Sequence, residues 1–141
     1  MTKNYLFILI LVNSIMSCKK EKQPPAELIG RWENRFAYIE NHISDSITIL
    51  FDTIPIYNRR LVEYKNDFTI SITPPTIPSC EGTYQLIRND QFIEWNFPCH
   101  VINGINNGKY ILKVYKLTSD TLILEDSFEN GFSRTTLIKI K

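Results

Sequence analysis

Apolar residues recur at every second position along most of this chain. From Leu28, one parity carries Leu28, Gly30, Trp32, Asn34, Phe36 and Tyr38, while the other carries Arg31, Glu33 and Arg35. A period of two marks a strand buried on one face, here with its even residues inward. Residues 39–45 read as a polar connector. Ile47, Ile49 and Phe51 then alternate with Ser46, Thr48 and Asp52, until Pro55 interrupts. Val62 and Tyr64 share a face within 57–64, and Phe68, Ile70 and Ile72 alternate with Thr69, Ser71 and Thr73. A three-residue loop at Lys65-Asn66-Asp67 would set Tyr64 opposite Phe68 and Val62 opposite Ile70, with both apolar sets facing one way. Pro74, Pro75 and Pro78 lack the ladder donor, so 74–79 is no central strand.

The stretch from Cys80 to Cys99 supports the sharpest local inference. A two-residue turn at Asn89-Asp90 pairs Arg88 with Gln91, Leu86 with Ile93, Tyr84 with Trp95, Gly82 with Phe97 and Cys80 with Cys99. Every apolar residue then falls on one face, and the two cysteines meet there. They would sit at a hydrogen-bonded pair, whose Cα spacing of about 5.5 Å is within disulfide range. Residues 100–108 hold two Asn-Gly pairs and read as a loop. Lys109 to Thr118 is a strand, and a tight turn at Ser119-Asp120 sets Leu117 opposite Leu122 and Tyr115 opposite Leu124. After a turn at Glu129-Asn130-Gly131, Arg134, Thr136, Ile138 and Ile140 share one parity, and Leu137 and Lys139 the other. This makes nine strand-like runs and no helix. Short turns between successive runs predict an all-β, antiparallel up-and-down meander, closed as a barrel or packed as a sandwich.

The N-terminus breaks the pattern. Lys3, the apolar run Tyr5 to Val12 and then Ile15-Met16-Ser17-Cys18 have the layout of a secretory signal, with a core too short for a comfortable membrane span. Residues 19–27, charged and proline-bearing, read as a solvated tether reaching at most about 30 Å. Lys3 is the one charge before Cys18, so the chain from Cys18 onward carries 15 basic residues against 15 acidic ones. That balance argues against a nucleic-acid partner. Of three cysteines, Cys18, Cys80 and Cys99, two pair naturally if the first is modified, the alternative being two buried free thiols.

The ending Ile15-Met16-Ser17-Cys18 resembles a bacterial lipobox. The resemblance implies a signal peptide over 1–17, cleavage before Cys18, and a palmitate-type lipid on Cys18 as a membrane anchor. The plainer alternatives are an ordinary signal peptide with Cys18 as a free thiol, or a short N-terminal anchor. Lys19 does not resemble an inner-membrane-retention Asp, and no acidic export run comes after it. The resemblance therefore implies the cell envelope and its outer membrane, with a periplasm-facing position favoured and the surface left open.

Residues 28–141 resemble the bacterial lipocalin-like lipoproteins. The carriers are Leu28-Ile29-Gly30-Arg31-Trp32, a Leu-x-Gly-x-Trp element; Gly82-x-Tyr84; Leu117 to Leu124; and the closing strand Arg134 to Lys141. The resemblance implies an eight-stranded barrel, so one of the nine runs, with 57–64 the first candidate, is expected to be a loop unless closure differs. It also implies a barrel-floor pair in which an Arg of the last strand packs on the first-strand Trp. Trp32 and Arg134 are the candidates, and parity puts both inward.

Candidate chemistry is sparse. His42 and His100 have no ligand-spaced neighbours, so no metal site is expected. No phosphate loop, nucleophile elbow or metalloprotease helix is present, and Asp45, Asp52 and Asp67 read as ordinary turn and edge carboxylates. Neither catalysis nor a cofactor is expected, and a protein partner is not identifiable. Two functions remain. In one, a barrel pocket lined by Phe36, Tyr38, Tyr64, Phe68, Tyr84 and Trp95 binds a small apolar ligand. In the other, a filled barrel is a structural or interaction module of the envelope. A cavity above about 300 Å³ would favour the first, and a large exposed apolar patch the second.

Overall fold

The structure, a computed structural model, describes residues 22–44, 47–56, 59–75, 78–99 and 108–141, with the backbone alone over 42–44 and 47–53. The expected signal peptide, Cys18 and most of the 100–108 loop lie outside these residues. Nine strands run in order: β1 (Gly30–Ser44), β2 (Ile47–Pro55), β3 (Leu61–Tyr64), β4 (Thr69–Thr73), β5 (Cys80–Ile87), β6 (Phe92–Asn96), β7 (Lys109–Leu117), β8 (Thr121–Phe128) and β9 (Gly131–Ile140). The described residues contain no helix. The antiparallel sheet runs β2-β1-β3-β4-β5-β6-β7-β8-β9 and closes through β1–β9.

Nine strands make an eight-stranded barrel because two of them share one position. β9 pairs with β1 from Arg31 to Asn41, which occupies one edge of β1. Along the other edge, β2 pairs with Phe36–Ser44 and β3 with Gly30–Glu33. β2 and β3 are therefore one long interrupted stave. Its break lies opposite Asn34 and Arg35, where Ile56 N donates to Arg35 O and Asn34 N to Arg60 O. The 57–64 run thus ends in a true strand, β3, rather than a loop. The polar connector over 39–45 is likewise strand through Ser44, because main-chain pairing on both sides outweighs the polar side chains.

Two predicted registers need correction. β3 and β4 pair Tyr64 with Ile70 and Val62 with Ile72, two residues from the expected alignment. The loop is Asn66-Asp67-Phe68, closed by Lys65 N donating to Thr69 O, with Phe68 in the left-handed region at φ 63°. Such a three-residue loop normally announces itself by a glycine at that position, and none is present. Because the slip is two residues, the buried face is unchanged. In β7, Leu117 opposes Leu122 as expected, but a bulge makes Val114, not Tyr115, the partner of Leu124. Tyr115 is thrown outward and is 52% exposed.

The β5–β6 hairpin has the predicted register, with Leu86 opposite Ile93 and Tyr84 opposite Trp95. Asn89 and Asp90 both have positive φ, the requirement of a type I′ turn. The Cys80–Cys99 disulfide is formed, with Cα atoms 6.3 Å apart. The ladder stops at Thr83–Asn96, so the bridge closes the splayed end of the hairpin beyond the paired residues.

The turns at 65–68, 88–91 and 118–120 lie at the end where β1 begins. The chain leaves β4 at Thr73, β6 at Asn96 and β8 at Phe128 at the other. We call these ends the floor and the mouth.

Candidate functional site

The floor is filled. Trp32, Tyr64, Leu28, Ile70, Ile93 and Leu122 are the largest fully buried side chains, and all lie at that end. The Leu-x-Gly-x-Trp element builds this plug. Leu28 enters beneath the barrel and its carbonyl accepts the Trp32 indole N–H at 2.8 Å. Gly30 sits at φ 127°, and a Cβ there would come within 2.8 Å of Lys139 Cε. The missing side chain lets the Lys139 stem cross to Trp32, where Nζ lies 5.0 Å from the ring centroid.

Within the plug is an aromatic cluster. Tyr64 packs edge-on to Tyr84 at 5.1 Å and lies 6.3 Å from Trp95, with Phe68 5.6 Å from Tyr84. The Tyr84 hydroxyl donates to Lys65 O at 2.7 Å. Burial, helped by the charge of Asp67, pushes the Tyr84 phenol up to about 12. Burial raises Tyr64 further still, against the opposing effect of the Trp95 indole. Gly82, the third residue of β5, has no side chain because the Asn96 carbonyl and the Phe97 ring take that space, the ring 2.6 Å from where a Cβ would stand.

The mouth half is not filled. A cavity of about 200 Å³ opens there, walled by Val62, Ile72, Trp95, Leu112, Leu124 and Leu137. Its polar lining comes from Asn34, Arg60, Tyr110, Asp126, Ser133 and Thr135. Trp95 and Tyr110 are directly paired across β6 and β7. Burial raises the Tyr110 phenol, with Asp126 adding to the rise and Arg60 opposing it. Partial desolvation at the rim also raises the Asp126 carboxyl. The cavity falls short of the roughly 300 Å³ expected of a ligand pocket, yet exceeds the roughly 150 Å³ that suffices for benzene.

The structure divides the expected lining residues. Trp95 lines the cavity, Tyr64 and Tyr84 belong to the cluster beneath it, and Phe68 packs against the core from the β3–β4 loop. Phe36 and Tyr38 point outward instead. A bulge in β1 takes the register from Asn34–Leu137 to Phe36–Thr136, so the alternation inverts after Asn34. Phe36 is 40% exposed.

The floor pair also needs correction. Arg134 opposes outward-facing Tyr38, while Lys139 opposes Trp32. The inward parity of β9 is Ser133, Thr135, Leu137 and Lys139, so the cation over Trp32 is Lys139. Arg134 lies on the exterior, 3.9 Å from the Tyr115 centroid and 4.5 Å from that of Phe132. There it donates to Glu125 at 2.8 Å, and Lys113 donates to the same carboxylate at 3.2 Å. Burial alone would raise Glu125, but these two cations hold its carboxyl below the usual range. Tyr38 stacks on Phe132 at 5.8 Å, which completes an exterior aromatic cluster around Arg134.

Sequence reasoning missed the polar lining. Lys139, Ser133 and Thr135 share the parity of Leu137, which was a usable signal. Arg60, in the break of the composite stave, carried none. Among the described residues no three His, Cys, Asp or Glu side chains gather as a metal site. The Asp67 carboxylate accepts from the Thr69 hydroxyl and backbone N–H, shaping its own turn. His42 is in β1 by its backbone, and His100 lies outside the described residues.

No family model and no curated protein matches the chain. Among solved structures, the barrel is similar to a lipocalin-like protein from Bacteroides uniformis, with a TM-score of 0.57 and 16% identity over 82% of this chain and 100% of that one. An uncharacterized protein from Bacteroides eggerthii is similar at a TM-score of 0.55 and 12% identity, over 80% and 99% respectively. At these identities the likeness is one of fold: a closed, eight-stranded, lipocalin-like antiparallel barrel.

Proposed function

We propose that this protein is a non-catalytic bacterial envelope lipoprotein, anchored through lipid on Cys18, whose barrel binds a small apolar ligand. The mouth cavity carries the ligand reading. Its apolar wall of Val62, Ile72, Leu112, Leu124 and Leu137 under a polar rim suits a molecule of single-ring size with one polar end. The anchor reading rests on the lipobox resemblance at Ile15 to Cys18 and on the charged, proline-bearing residues after it.

Native mass spectrometry of the mature protein from envelope fractions tests the ligand. A co-purifying small adduct is expected, and Leu112→Trp, which fills the cavity, should abolish it. Repeatedly ligand-free spectra would sink the reading. Cys18→Ala should move the protein from membrane to soluble fractions.

A second reading, an interaction module, draws on the barrel exterior. Tyr115, Phe36 and Ile111 are each 40% exposed or more, and Arg134 links Tyr115, Phe132 and Tyr38 into one surface. Capture of a defined envelope protein, lost on Tyr115→Glu while ligand adducts never form, would favour this alternative.

A further inference from the structure

The residues ahead of the barrel are not a free tether. Pro24 and Leu28 are buried. Leu28 N donates to Pro25 O at 3.0 Å, and Lys139 Nζ donates to Glu27 O at 2.8 Å. Lys22 pairs with Asp90, on the floor turn between β5 and β6, at 2.5 Å. That exposed ion pair contributes little by itself. Full burial of Leu28 under Trp32 is what docks the segment. The chain is therefore fixed to the floor from buried Pro24 onward, and residues 19–23 separate it from Cys18.

We propose that the barrel is moored floor-down. Its closed end faces the membrane, its cavity opens away from it, and the ligand exchanges with the aqueous compartment rather than with the bilayer. This inference rests on the lipid anchor at Cys18. Six Cα steps from Cys18 to Pro24 reach at most about 21 Å. The nine residues of β7 extend about 30 Å, or about 23 Å along the axis of a barrel whose strands tilt by roughly 40°. A leash of about 21 Å fixed at the floor is too short for the barrel to invert and set its mouth down on the lipid surface. The tether read from sequence, free to Glu27, would have allowed it. The floor turns carry basic Lys65 and Arg88 beside acidic Asp67, Asp90 and Asp120, a near balance, so leash length rather than electrostatic attraction sets the orientation.

The test uses the full lipidated protein reconstituted in phosphatidylcholine vesicles containing headgroup-spin-labelled lipid. Ser119→Cys places a fluorophore on a floor turn and Asn130→Cys places one on a mouth turn, with Cys80 and Cys99 bridged. Quenching should be severalfold stronger at 119 than at 130. A flexible twelve-residue insertion after Lys20 should bring the ratio towards one. Equal or reversed quenching in the uninserted protein overturns the mooring while leaving the anchor standing. If the uninserted protein fails to float with vesicles, the anchor and the mooring fall together.

Discussion

Floor and mouth are built from the same eight staves, yet they solve opposite problems. At the floor, Leu28, Trp32, Tyr64, Ile70, Ile93 and Leu122 leave almost no accessible surface. At the mouth, the wall residues Leu112, Trp95 and Leu124 face an open volume of about 200 Å³, and the polar atoms of Asn34, Arg60 and Asp126 enter the interior. Stability and open volume are thereby assigned to different ends of one barrel. Apolar burial contributes roughly 25 cal/mol per Å², so a plug of six large side chains can hold the barrel while the other half stays unfilled. The mouth compensates with covalent closure, the Cys80–Cys99 bridge.

Single variants put this division of labour to the test. Trp32→Ala should cost about 3–5 kcal/mol, the cavity cost of a fully buried large aromatic. Denaturant unfolding of the mature protein would show it, and a loss below about 1 kcal/mol would mean the floor is not the anchor of stability. Replacing both Cys80 and Cys99 by Ala should cost about 3 kcal/mol by loop-closure entropy, seen as a lower unfolding midpoint that reductant no longer changes. Lys139→Met should cost about 0.5–2 kcal/mol by removing the cation over Trp32. An equal loss on Arg134→Met, with Trp32 fluorescence altered, would restore Arg134 as the floor cation.

Two smaller effects are expected. The Glu125 carboxyl is held below its ordinary value of 4.5 by Arg134 and Lys113 in spite of burial. Its stabilising contribution is therefore present above the ordinary carboxylate range and lost as pH falls through the lowered folded value. Glu125→Gln should flatten the stability curve below about pH 4.5, and an unchanged acid limb would contradict the assignment. Thr135→Val, at the cavity wall, should shift stability by less than about 1 kcal/mol. A larger loss would show that the mouth is packed as tightly as the floor.

Legibility followed the same division. The floor was readable because Trp32, Tyr64 and Ile70 obey a strict alternation, and a two-residue slip in the β3–β4 register leaves their face unchanged. The β5–β6 hairpin was readable because Asn89-Asp90 fixes its turn chemistry and the cysteines fix its far end. The mouth was not, because its shape depends on bulges. An extra residue after Asn34 and another at Tyr115 each invert the parity on which side-chain direction was read, and neither site carries a glycine or proline to announce it. The cavity's polar rim was hidden for a related reason. Arg60 lies in the interruption between β2 and β3, where no periodicity applies.

The bulge in β1 has a volumetric meaning. With an unbroken register, Phe36 and Tyr38 would continue the inward row of Trp32 and Asn34 and direct two aromatic rings into the mouth half. The interior there offers about 200 Å³, and such rings would occupy the space a guest would need. One surplus residue turns both rings to the outside, where Tyr38 stacks on Phe132 instead. The vacancy at the mouth is thus a product of counting: a single amino acid, inserted at Arg35, separates a hollow barrel from a solid one.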